Sequence, residues 1–84
     1  MFPDVMLVMV SDRKKSAMKI QKALTKSGCA IQARIGLHEA AKTCSNAALM
    51  ILQLTGAKKE TAELRKSLNA IAGVRAKLFD PKKF

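Results

Sequence analysis

His38 and Cys44 are the two side chains best suited to chemistry, and they flank a short polar stretch. A cysteine beside a histidine can act as a thiolate nucleophile, or the two can ligate a metal. A nucleophile also needs a residue that orients its base and donors for an oxyanion, and neither is evident in this sequence. A closed zinc site needs four donors. The chain offers Cys29, His38, Cys44 and Glu39, and subunits could pool theirs. The plainer expectation is a partly exposed histidine near a small buried cysteine, with no catalytic residue, no metal and no cofactor.

Arg34, Gly36, Ser45 and Asn46 stand around this pair. Gly36 inside a strand suits a bulge or a close backbone approach, including to a ligand, although a simple twist accounts for it too. Ser45 and Asn46 can hold an anion or a polar group, and are also ordinary turn formers. As a set, Arg34, Gly36, His38, Cys44, Ser45 and Asn46 form the candidate rim of a ligand pocket. A second surface is the stripe Lys15, Lys19, Lys22 and Lys26, with Arg13 and Lys14 beside it. Such a stripe could lie along phosphates without reading sequence. A solvated helix face is the plainer reading, so nucleic acid is the alternative partner and not the favoured one. The sequence has no Walker loop, G-x-G-x-x-G, paired catalytic carboxylates or Ser-His-Asp set, and no enzyme is expected.

The elements that must position these residues follow from hydropathy. Val5 to Val10 is continuously apolar and reads as a strand buried on both faces. Ser11 or Asp12 offers an N-cap for a helix over 13–27, with Ala17, Ile20, Ala23 and Leu24 inward and the lysines outward. Gly28 is expected to end it in a left-handed conformation. Ile31, Ala33, Ile35 and Leu37 alternate with polar partners, as in a strand near a sheet edge. Glu39 to Thr43 read as a polar connection, and 47–54 as a third strand with apolar residues on both faces. A second helix is predicted from about Lys59 to Ala72, with Thr61, Leu64, Leu68 and Ile71 inward and Glu60 and Glu63 in its first turn. Gly73 stops it, and Val74 to Phe79 alternate as a last edge strand.

The order β-α-β-β-α-β is the split pattern of a ferredoxin-like α+β sandwich. Two helices cover one face of a four-stranded antiparallel sheet, with the first and third strands central. Helices cannot cover the other face, yet both central strands are apolar there too. The expected remedy is self-association, as a homodimer or homotetramer, since exposed apolar patches mark binding surfaces. An RNA-recognition sheet would present aromatics on that face, whereas these strands present Met, Leu and Val.

Eighty-four residues leave room for one domain, with a core over about 4–79 and a basic tail at 80–84. The chain is 49% hydrophobic and 26% charged, with a formal net charge of +10, which favours anionic partners. Two cysteines without C-x-x-C spacing read as free thiols in a reducing cytoplasm. The N-terminus lacks a secretory pattern, and the apolar runs are too short for a membrane span.

Three short motifs carry a resemblance: Arg34-Ile35-Gly36-Leu37-His38 on the second strand, Cys44-Ser45-Asn46 before the third, and Ile71-Ala72-Gly73-Val74 after the second helix. Over about 4–79 the chain resembles small ACT-like proteins of the iron-only hydrogenase system regulator group. Their fold is similar to the C-terminal domain of the nickel-responsive repressor. The resemblance implies dimers or tetramers, small-ligand binding at subunit interfaces and a part in transcriptional regulation. Arg34 and Gly36 fall near positions where that repressor carries ligand histidines, and Cys44 near its cysteine. These departures argue against nickel sensing. The repressor's ribbon-helix-helix DNA-binding segment has no counterpart here, so the chain is not expected to act as a transcription factor alone.

Overall fold

The structure, a computed structural model, describes residues 4–38 and 47–80. Strand β1 (Val5–Val10) leads into helix α1 (Arg13–Lys26), a single 3-10 turn (Gly28–Ala30) and strand β2 (Ile31–His38). Strand β3 (Ala48–Leu54), helix α2 (Lys58–Asn69) and strand β4 (Val74–Phe79) follow. The sheet order is β2-β3-β1-β4 and every pairing is antiparallel. The fold is therefore the ferredoxin-like α+β sandwich that the element order predicts, with β1 and β3 in the centre. No helix among the described residues is long and apolar enough to cross a membrane.

Alternation sorts each strand into two sets. Met6, Val8 and Val10 of β1 and Leu52 and Leu54 of β3 are buried beneath the helices, joined by Val74 and Ala76 of β4. Ile20 and Leu24 of α1 and Leu64 and Leu68 of α2 close this core from above. Each larger side chain so buried contributes about 1.5–3 kcal/mol. The core is thus a single layer between sheet and helices.

Capping and turn groups fix the joints. The Asp12 carboxylate, not Ser11, caps α1 by accepting from the Lys15 N–H at 3.3 Å. Ser11 instead ties the ends of β1 and β4 together: its N–H and its hydroxyl both donate to the Gly73 carbonyl, at 2.9 and 3.2 Å. Gly73 has φ +78, and a Cβ built on it would stand 2.5 Å from Ser11 Oγ. Gly73→Ala should therefore cost about 1–3 kcal/mol, from left-handed backbone strain and the clash together. Urea titration of the variant checks this, and an unchanged midpoint would contradict it.

Four expectations need correction. Gly28 does not end α1 in a left-handed conformation: Ser27 is the C-cap, and Gly28 opens the 3-10 turn without positive φ. Ser16 is buried where Ala17 was expected, because its hydroxyl reaches the Ala72 carbonyl at 3.5 Å and Ala17 turns outward. A register shift between Ile31 and Ala33 puts Ile31 opposite Leu54 on the covered side, while Ala33 and Ile35 lie on the other. Helix α2 ends at Asn69, earlier than its periodicity suggests, and Glu63 lies beyond its first turn.

Asn69 explains that ending. Its side chain accepts from the Ala76 N–H at 2.8 Å and donates to the Ala76 carbonyl at 3.1 Å. The N–H and C=O of one strand residue point the same way. Asn69 therefore occupies the β4 edge that faces away from β1, as a neighbouring strand would. Ile71 still packs against the core, but from the turn and not the helix.

Candidate functional site

Arg34 and Gly36 are two residues apart on β2, so they share one side of the sheet. Their partners Leu52 and Met50 place them on the helix side. Both are exposed. His38 ends β2 opposite Ala48 in the register. Cys44, Ser45, Asn46 and Glu39 lie outside the described residues. Cys29 is a free, exposed thiol in the 3-10 turn. No cluster of three or more His, Cys, Asp or Glu residues able to hold a metal occurs among the described residues.

A groove of about 260 Å³ separates α1 from the β2–β3 ladder, with Gly36 and Met50 on one wall and Arg13, Ile20 and Gln21 on the other. It adjoins a second groove of about 360 Å³, lined by Gln21, Thr25, Gln32 and Arg34. Gly36 is the opening in this wall: a Cβ built there meets nothing within 4 Å, and its φ is not positive. No bulge occurs at Gly36, since the register shift falls near Gln32. Gly36→Leu should thus leave stability unchanged or raise it by up to about 1 kcal/mol, because glycine weakens a strand interior. Thermal melting reads this directly, and a drop of several degrees would show the site to be tighter than described.

The larger hollow lies at the end of the sheet. A cleft of about 1000 Å³ runs between the end of β1 (Met9, Ser11), the start of β3 (Ala48, Leu49) and the turn from α2 to β4 (Ile71, Gly73, Arg75). Its lining is mostly apolar, with Ser11, Asn69 and Arg75 as polar groups. That combination suits a small molecule with an apolar body and an anionic end. This cleft and the groove beside Gly36 share Val10, Ala48 and Leu49 in their linings. The sequence reading missed Ser11 and Arg75 as site residues. The Ile71-Ala72-Gly73-Val74 motif was the available signal, and it supplies one wall.

The uncovered face of the sheet is the other notable surface. In register across the strands stand Ala33, Gln53, Val5 and Phe79, and next to them Ile35, Ile51, Leu7 and Lys77. A third row runs through Leu49, Met9 and Arg75. Ile35 is 57% exposed, Met9 44% and Phe79 39%, while Val5, Leu7, Leu49 and Ile51 are half-buried. Among the described residues, charge on this apolar sheet face is confined to the β4 side.

Solved structures share this architecture. An uncharacterized protein from Thermotoga maritima superposes with a TM-score of 0.77 at 25% identity, over 89% of this chain and 90% of that one. The regulatory subunit of aspartate kinase from Thermus flavus gives a TM-score of 0.56 at 18% identity, over 94% of this chain and 52% of that one. The ligand-free regulatory subunit of aspartate kinase from Thermus thermophilus gives 0.54 at 20% identity, over 93% and 51%. The chain spans about half the length of each aspartate kinase subunit. No family model and no curated protein matches the sequence. These likenesses show a shared fold.

Proposed function

We propose that this chain is a single-domain, non-enzymatic, cytoplasmic regulatory module that self-associates and binds a small ligand where subunits meet. The observation that carries the reading is the sheet face without a helical cover, whose half-exposed Ile35, Met9 and Phe79 surround Leu7, Leu49 and Ile51. A second copy placed face to face would bury that area, and a two-fold axis makes such a contact self-complementary. The outer edge of β2 is a second open contact. Pairing there would bring Arg34 and Gly36 of two subunits together, with the groove beside α1 between them. Use of both contacts gives a homotetramer, and use of one a homodimer.

The ligand is a small anionic molecule, drawn by Arg34 on the groove wall or by Arg75 in the end cleft, with His38, Cys44, Ser45 and Asn46 completing the rim. No bound metal or cofactor is part of this reading. The neighbouring aspartate kinase subunits are named as regulatory, which supports a regulatory role for the same fold. The motifs around Gly36, Ser45 and Gly73 support membership of the iron-only hydrogenase system regulator group.

Sedimentation of the full chain at micromolar concentration should show a dimer or larger species. Thermal melting against a panel of free amino acids and small carboxylates should then find one that raises the midpoint. Gly36→Leu should keep the fold and lose a response that arises in the β2 groove. A stable monomer that no member of the panel shifts would overturn the proposal.

A further inference from the structure

The outer surface of α1 has a charge pattern that the regulatory reading does not use. The helix carries Arg13, Lys14, Lys15, Lys19, Lys22 and Lys26 and no Asp or Glu. All six side chains are exposed, and none is in an ion pair with a carboxylate among the described residues. Lys15 and Lys19 stand one turn apart, as do Lys19 and Lys22, and Lys22 and Lys26, so like charges are stacked along one face. A surface shaped only for solubility mixes its signs. Helix α2 does so, with Glu60 and Glu63 among Lys58, Lys59, Arg65 and Lys66. A polyanion laid along this face would relieve the repulsion between its lysines.

We propose that the outer face of α1 is a docking surface for duplex nucleic acid, held through its phosphates without base readout. Lys15 to Lys26 rise by roughly 16 Å along the helix, enough to follow several phosphates of one strand. Lysines act as mobile point charges, which fits backbone neutralisation better than bidentate reading of bases. An anionic membrane is the poorer fit, because an interfacial helix must insert an apolar face. The apolar side of α1, Ile20 and Leu24, is spent on the core, and Met18 is its one large exposed apolar residue. A single strand is also the poorer fit, because it needs aromatic platforms and α1 has none.

This proposal is independent of the small-ligand reading, and its test does not involve the grooves. Fluorescence anisotropy of a mixed-sequence duplex with the full chain should give binding that scrambling the sequence does not alter. With four phosphate contacts, affinity should fall roughly 150-fold between about 50 and 200 mM salt. Changing Lys15, Lys19, Lys22 and Lys26 together to Gln should abolish binding while circular dichroism and the melting midpoint stay near the parent's. Lys77→Gln, on the opposite face, should bind as the parent does. Undiminished binding by the α1 variant would overturn the assignment. So would binding to phosphatidylserine-rich vesicles or to an acidic protein surface with none to duplex.

Discussion

Leu64→Ala is expected to lower stability by about 3 kcal/mol, within the 2–5 kcal/mol range for deleting a buried leucine side chain. Leu64 is fully buried, and it sits in the core with Leu68, Leu52 and Leu54. Three methyl-sized groups disappear there, and the rigid sheet below cannot collapse into the space. A chain of this size has roughly 4–13 kcal/mol in total, so the loss is a large share of what holds it folded. For so small a domain it corresponds to a fall in Tm of roughly 12–24 °C. Calorimetry of the variant measures it. Met18→Ala is the matched control: Met18 is 77% exposed, so its removal should stay within about 0.5 kcal/mol. Equal effects of the two changes would mean that the helices do not cover the sheet as described.

The second large effect concerns the opposite side of the sheet. Ile51 lies at the middle of the uncovered face, opposite Ile35 on one side and Leu7 on the other. Ile51→Lys should leave the folded subunit intact, since a lysine there can keep its stem on the sheet and its charge in water. In a face-to-face assembly the same charge would be buried against a second apolar sheet. The dissociation constant should then rise at least about 100-fold, equivalent to about 2.8 kcal/mol. Sedimentation equilibrium reads the shift, with circular dichroism confirming the fold. If the variant assembles as the parent does, the face is not the contact, and the β2 edge becomes the one to test.

The sequence was read most accurately where one pattern acted alone. Continuous apolar residues marked β1 at Val5–Val10, and alternation marked β4 at Val74–Phe79, with the same bounds as in the structure. The central placing of β1 and β3 followed from their apolar residues on both faces, and the topology agrees. Reading failed where a distant partner overrode the local pattern. Ile31 looks like one member of an alternating series, but the shift near Gln32 moves it to the covered side. Asn69 looks like a tolerated helix residue, yet its amide is engaged by Ala76 and the helix ends there. Ser16 takes an interior place because Ala72 offers it an acceptor.

Of the candidate rim, Arg34 and Gly36 lie on one side of β2 beside a groove, and their binding of a ligand is a proposal. Cys44, Ser45 and Asn46 fall outside the described residues, so their part in the rim stays a proposal. The end cleft was not legible, because it is assembled from three chain segments brought together by the β1–β3 and β1–β4 pairings and by the Ser11–Gly73 contact. A hollow made by a turn, a strand end and a hydrogen bond has no periodicity to detect.

The Asn69 clamp on β4 also bears on how large any assembly can grow. Two bare strand edges on one subunit would permit head-to-tail addition, β2 of each copy on β4 of the next, and that contact need not close. It would yield filaments. With Ala76 at the middle of the β4 border already held by Asn69, a β2 strand arriving there would find that stretch taken, so edge pairing would favour β2 on β2, a contact that closes after two subunits.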